Sequence, residues 1–441
     1  MTGRHRPGLS TQIKEALIQR GLQARARAAE REPAPAPESD TVQESFCRFE
    51  LHPGYRQMRI IAEGAEQLGI RNPFFRRHEG IAGARTRIDG REYLNFSSYN
   101  YLGLNGHPAV SAAATAAIAR HGTSVSASRA VSGERPVHRE LETALARACG
   151  TDEAVVFVSG HATNVTVIGY LFGPRDLVLH DELIHNSSLQ GIRLAGAQRM
   201  SFPHNDWAAL DELLVRHRRQ YERVLIVVEG LYSMDGDYPE LPRFIEVKRR
   251  HKAFLMVDEA HSFGVMGPSG LGIREHFGLS GTDVDIWMGT LSKVLAGCGG
   301  YIAGSTALVE HLKFLAPGFL YSVGMAPPLA AASLAALQYL RAHPTLPRQL
   351  RERGAQFLAL ARAAGIDTGP SAGISVIPVI VGSSVRAARL SEALFERGIN
   401  VQPILYPAVP EKQARLRFFM CCEHTEQDVQ TAVEAVALEL R

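Results

Sequence analysis

Five short apolar runs mark the middle of this chain, at Ala154–Val158, Asp176–Leu179, Val224–Glu229, Ala253–Asp258 and Ile286–Met288, and a helical or turn-forming segment separates each from the next. Runs of three to six residues are too short for buried helices, and they lack the polar alternation of a strand with one wet face. They therefore predict strands covered on both sides. Strands separated by helices need crossover connections. The expected class is thus α/β, with a mostly parallel central sheet, helices on both of its faces, and ligands beyond the carboxyl ends of the strands.

Around this centre the pattern changes. Tyr55–Leu68 reads as a helix ending before Asn72-Pro73, and Arg85–Phe96 as a hairpin turned at Asp89-Gly90. Ala330–Leu340 is an apolar helix closing a large domain. Beyond it, helices at Arg348–Ala364 and Arg386–Arg397 and strands at Ser375–Val381 and Arg415–Phe419 predict a smaller α+β domain. The expected divisions are an arm and linker over 1–45, an N-terminal segment over 46–97, a large domain over 98–340 and a small domain over 341–441. Within the arm, Gln12–Glu30 reads as a charged helix. It runs into Glu32-Pro-Ala-Pro-Ala-Pro-Glu38, which cannot pack as helix or central strand.

Composition excludes several classes. At 45% hydrophobic and 21% charged residues, the chain is not a disordered one, and a net charge of +3 supplies no global field for nucleic acid or a membrane surface. The five cysteines show no metal-ligand spacing and their odd number suggests no disulfide framework. No apolar stretch reaches the length of a membrane span, and no secretory h-region follows Met1–Ser10. The expectation is a soluble cytoplasmic protein without a transmembrane segment.

The polar residues at the strand ends carry the chemistry. Asp258-Glu-Ala-His261 ends one apolar run, and Gly289-Thr-Leu-Ser-Lys293 follows the next. A carboxylate that keeps a heterocyclic nitrogen protonated, together with an amine able to form a Schiff base, is the pair pyridoxal phosphate requires. Lys293 sits among small and hydroxyl residues and precedes Ala296-Gly-Cys-Gly-Gly300, where backbone can approach a ligand closely. Ser159-Gly160-His161 lies where a strand turns into a helix, a place for a phosphate. His185, leaving the strand before it, can lie flat on a ring. The turn after a buried strand brings Glu229 and Ser233 towards the same sheet edge, and Asp235-Gly236 makes the turn itself. Asp206 reads as a helix N-cap. Metal ligation by Asp258 and His261 lacks HExxH or paired-His spacing, and no metal is expected. Walker and dinucleotide fingerprints are absent.

Taken in order, Ser98–Leu104, Gly122–Arg129, Ser159–Asn164, Glu229–Gly236, Asp258–His261 and Gly289–Lys293 resemble the α-oxoamine synthase family from about Asn72 to the C-terminus. That resemblance implies a fold-type I pyridoxal phosphate-dependent transferase that condenses an amino acid with an acyl thioester, loses CO2 and yields an α-amino ketone. Some segments look most like serine palmitoyltransferases and others like synthase modules of polyketide assembly lines. An 8-amino-7-oxononanoate synthase of the biotin pathway is the alternative, and an aminotransferase the more distant one. The resemblance implies Lys293 as the covalent lysine, Asp258 on the pyridine nitrogen, His261 on the phenolic oxygen and His185 on the ring. It further implies Gly160, His161, Thr290 and Ser233 as cofactor contacts, Arg417 on the amino-acid carboxylate, and a homodimer. The thioester is expected on an acyl carrier protein, with coenzyme A fitting the same chemistry. His161 stands where relatives have an aromatic residue, Ala408 where several have threonine, and Tyr321-Ser-Val-Gly324 lacks hydroxyls that relatives use near the dimer interface.

Overall fold

The computed structural model describes residues 42–441, which divide into two units, one ending at Leu68 and the other spanning Gly69–Arg441. The expected arm helix and proline tract lie outside the described residues. In the first unit the helix Pro53–Gln67 replaces the expected Tyr55–Leu68. It starts earlier because Pro53 suits its first turn and the His52 side chain accepts from the Gly54 N–H.

In the second unit β1 (His78–Glu79), β2 (Arg85–Ile88) and β3 (Arg91–Asn95) form an antiparallel meander. Asp89 and Gly90 both take positive φ, 48° and 76°, the backbone that a two-residue hairpin turn demands and that Asp-Gly supplies. The central sheet follows, made of β4 (Glu153–Phe157), β5 (Leu177–Asp181), β6 (Gln198–Phe202), β7 (Val224–Glu229), β8 (Phe254–Asp258), β9 (Ile286–Thr290) and β10 (Gly300–Gly304). Their order is β4-β10-β9-β8-β7-β5-β6, parallel from β9 to β6 and antiparallel on both sides of β10. Then come β11 (Val376–Ile380), β12 (Ile399–Asn400), β13 (Pro403–Ile404) and β14 (Arg415–Phe419). The first, third and fourth make a small antiparallel sheet, and β12 pairs in parallel with β3.

Successive residues of one strand serve opposite cores, as a period of two requires. On β7, Ile226 and Val228 join the cluster under the helices Pro136–Cys149, Leu241–His251 and Pro327–Ala342. Leu225 and Val227 join the cluster under Gly160–Leu171, Asn186–Ala195 and Thr306–Leu315. Helices therefore cover both faces, and the first cluster runs on into β11 and β14. Among the described residues no helix is long and apolar enough to cross a membrane.

Two strands of the central sheet differ from the sequence expectation. β6 is an edge strand of largely exposed residues, Gln198-Arg-Met-Ser-Phe202, with no apolar run to mark it. β10 reads as part of a glycine-rich loop, yet its glycines are what place it. A Cβ on Gly300 would collide with Thr163 Oγ1 and come within 2.7 Å of the Gly160 Cα, so the strand lies directly against the start of the helix Gly160–Leu171. Gly300→Ala should therefore destabilise the protein by about 1–3 kcal/mol, read as a lowered denaturant midpoint of the cofactor-free protein.

Candidate active site

The carboxyl ends of β5, β7, β8 and β9 converge on one cleft. Register sets Glu229 of β7 beside Asp258 of β8, and Asp258 beside Met288 of β9. The cleft, of about 180 Å³, is lined by Gly160, His161, Asn164, His185, Asp258, His261, Thr290 and Lys293 together with Glu229. Seven of the nine residues expected from the sequence thus meet there.

Asp258 is buried. Its Oδ2 accepts from Asn164 Nδ2 at 2.8 Å and its Oδ1 from the Ala260 N–H at 3.0 Å, which fixes the carboxylate plane and leaves acceptor capacity facing the cleft. Lys293 lies in the turn after β9, which closes on itself through Leu291 N–H to Gly299 O at 2.9 Å and Gly297 N–H to Leu291 O at 2.8 Å. Burial draws the Lys293 amine down to about 8, while Asp258 and Glu229 pull the other way. Its Nζ sits 5.5 Å from the Tyr99 ring centroid. Glu229 is buried, and desolvation followed by the Asp258 charge lifts its pKa well above the carboxylate range. Its Oε1 has no partner among the described residues.

His261 and Tyr101 share a hydrogen bond of 2.7 Å through Nδ1. Burial, then the charges of Lys293 and Arg417, keep His261 well below its ordinary pKa, so the ring is neutral. His185 leaves β5 on the open side of the cleft, its Nδ1 2.7 Å from Ser187 Oγ. Desolvation leads in lowering its pKa, with Asp258 opposing. Ser159 caps the helix that starts at Gly160 by accepting from the Ala162 N–H at 3.3 Å, so the Gly160 and His161 N–H groups stand free at a positive helix end. A Cβ on Gly160 would lie 2.8 Å from Thr290 Oγ1, which is why glycine is required there.

Ser233 and Arg417 stand apart from that lining. Arg417 projects from β14, its Nη1 donating to the Ser233 carbonyl at 3.1 Å and its guanidinium lying 4.6 Å from the Phe419 ring centroid. Its Nε is buried and unpartnered among the described residues, a donor to spare in a fork suited to a carboxylate. Ser233 is buried beneath it, and Asp235, expected only to turn the chain, also pairs with Arg415 at 2.5 Å.

Sequence reasoning brings Glu229 to the sheet edge but does not single out Asn164, Tyr99 or Tyr101 for the cleft. Asn164 carries the one available signal, lying one helical turn beyond Gly160 on the face that looks back at β8. Beside the cleft lies a second chamber of about 420 Å³ that shares Ser292 and Lys293 with it. Its other walls include Asn95, Ser97, Tyr99, Asn100 and Gln402.

A model of the aminotransferase class I and II family matches residues 91–436. An 8-amino-7-oxononanoate synthase from Geobacter sulfurreducens is 42% identical over 360 residues, 81% of this chain and 91% of its own. Another from Thermoanaerobacter pseudethanolicus is 37% identical over 357 residues, 81% of this chain and 90% of its own. Among solved structures, a variant serine palmitoyltransferase from S. paucimobilis, with pyridoxal phosphate bound as a myriocin adduct, superposes with a TM-score of 0.84. It is 28% identical and covers 88% of this chain and 97% of its own.

Proposed function

We propose a reaction for a chain that belongs to the aminotransferase class I and II family and is a pyridoxal phosphate-dependent α-oxoamine synthase within it: an amino acid condenses with an acyl thioester, giving an α-amino ketone, CO2 and the free thiol. Within that class the chain is similar to 8-amino-7-oxononanoate synthases at about 40% identity, the alternative raised from the sequence. Their name describes a vicinal amino ketone on a nine-carbon carboxylate. A product of that kind requires alanine and a seven-carbon acyl group ending in a carboxylate.

The residues fit the cofactor on several counts. The cleft offers a buried strand-end carboxylate with acceptor capacity to spare, two free N–H groups at a helix start, a depressed-pKa amine, and the unpartnered Glu229 Oε1 and Asn164 Oδ1. Asp258 would hold the pyridine nitrogen and Lys293 the aldehyde carbon. Gly160, His161 and Thr290 would hold the phosphate, His185 the ring face and His261 the phenolic oxygen, with Ser233 fixed nearby by Arg417. When bound, the cofactor takes up the electron pair left on the amino acid's Cα.

This chain's residues do the rest. Arg417 grips the substrate carboxylate through its free Nε edge, and Phe419 holds the fork flat. His185 orders the substrate from the open side so that the Cα–H bond points at the base. Neutral Lys293 Nζ accepts the Cα proton and later returns it. The observation that carries the reading is the pair of chambers meeting at Lys293. An aminotransferase uses one substrate site twice, whereas a condensation must hold two substrates at once. The hydroxyl and amide walls of the larger chamber suit an acyl group with a polar end better than a long alkyl chain.

The thioester is carried by an acyl carrier protein or coenzyme A. The working unit is a homodimer, and Phe314, Leu315, Tyr321 and Val323 supply exposed apolar surface for it. Five free cysteines support a reducing cytoplasm. The testing experiment supplies the holoprotein with L-alanine and a dicarboxylic, or alternatively palmitoyl, thioester and measures CO2 and free thiol. Equal release of both, only with amino acid and thioester together, is expected. Release of neither, with transfer of the amino group to a keto acid instead, contradicts the reading.

A pH dependence follows from Lys293. Its neutral fraction grows as pH rises towards about 8 and then saturates. Covalent uptake of pyridoxal phosphate by the cofactor-free protein should therefore quicken about tenfold per pH unit below that point and level off above it, as stopped-flow absorbance would measure.

A further inference from the structure

Behind the cleft, outside its lining, His204 sits between two carboxylates. Its Nδ1 is 2.9 Å from Asp181 Oδ1 and its Nε2 is 2.8 Å from Asp237 Oδ2. A carboxylate oxygen stands opposite each ring nitrogen, nearer to Nε2 than the Asn205 Nδ2 at 3.3 Å, an arrangement that suits two donating N–H groups and hence an imidazolium. Burial alone would lower its pKa, but the hydrogen bonds and charges of Asp181 and Asp237 outweigh that and raise it to about 10.

What the two carboxylates hold gives the cluster its meaning. Asp181 Oδ1 also accepts from the Leu183 N–H at 2.8 Å and so shapes the turn that delivers His185. Its Oδ2 accepts from the Asn205 N–H at 2.7 Å. Asp237 Oδ2 accepts from Asn205 Nδ2 at 2.9 Å. Asp237 also closes the loop 231–237, because the Tyr232 N–H donates to the Asp237 carbonyl and the Gly236 N–H to the Tyr232 carbonyl, each at 2.8 Å. That loop is the seat of Arg417, through the Ser233 carbonyl. The edge of the Tyr232 ring packs on His204 with centroids 4.5 Å apart. Without the cation, two carboxylates, one of them fully buried, would face each other across this junction.

We infer that His204 is a positioning residue: its charge ties the turn carrying His185 to the loop that seats Arg417, and so sets how tightly the substrate carboxylate is gripped. This rests on the reading of Arg417 as the carboxylate binder. His204→Gln removes the charge, and adding Asp237→Asn restores the balance of the cluster without restoring the histidine. The holoprotein is titrated with L-alanine and with ethylamine, which lacks the carboxylate, following the visible absorbance. The cofactor-free protein is titrated with pyridoxal phosphate, and thermal unfolding is recorded alongside.

His204→Gln should raise the Kd for L-alanine by about tenfold or more and leave ethylamine and cofactor affinity within about threefold. The double variant should return L-alanine to within about threefold of the unaltered protein. An unchanged L-alanine Kd overturns the inference, as does a parallel loss for all three ligands or a double variant that fails to recover. Should His204→Gln not fold, a folded double variant with unaltered L-alanine affinity sustains the inference, and an unfolded one overturns it. Arg417→Lys separates the two levels. If that change does not weaken L-alanine selectively over ethylamine, the reading of Arg417 fails whatever His204 does.

Discussion

Lys293→Ala should leave a folded protein whose turnover has fallen by about 10³-fold or more. The side chain ends in a cleft rather than in a packed core, so its removal costs little stability, and the turn around it is closed by the backbone bonds of Leu291, Gly297 and Gly299. What is lost is an amine that touches both chambers. Among the described residues no other lysine lines either of them, so none of these can stand in as proton acceptor. Turnover assayed with amino acid and thioester, together with the visible absorption of cofactor added to the variant, checks this. Retention of a tenth of the activity would move the base elsewhere.

Asp258→Asn should cost on the order of 100- to 1,000-fold in turnover, with the fold and the cleft's shape intact. The amide oxygen can still accept from Asn164 or Ala260, whose donors now meet the carboxylate. An amide lacks the negative charge that keeps a pyridine nitrogen protonated, and in a buried setting that charge acts with little screening. The loss should fall on kcat rather than on the KM for either substrate, because Asp258, in its assigned role, would face the cofactor's ring nitrogen and neither substrate. Steady-state kinetics beside a thermal unfolding curve separate this from misfolding. A variant with unaltered kcat would contradict the role assigned to Asp258.

The central strands were legible because burial on both faces demands uninterrupted apolar residues, as in Leu225–Val228. β6 was not, since an edge strand with a wet side can be built from Gln198, Arg199 and Ser201. Nor was β10, whose glycines serve close contact with the helix start at Gly160 and look like loop. In the cleft, motif residues at strand ends were found because topology sends every such end to the same side of the sheet. Asn164 and Tyr101 act through a neighbour, Asp258 and His261 respectively, and residue type alone carries no mark of that. His204 shows the difference most plainly. Its sequence context, Pro203-His-Asn-Asp206, announces only the helix cap that Asp206 indeed makes with the Ala209 N–H at 2.8 Å, while its two acidic partners come from the end of β5 and from the loop that follows β7.

Holding the cofactor at one nitrogen beside one strand-end anion is the claim on which the rest depends. Borohydride reduction of the cofactor-loaded protein, followed by proteolysis and mass mapping, should find the added mass on the peptide containing Lys293 and nowhere else. A label on any other lysine, or none in fully loaded protein, would contradict it.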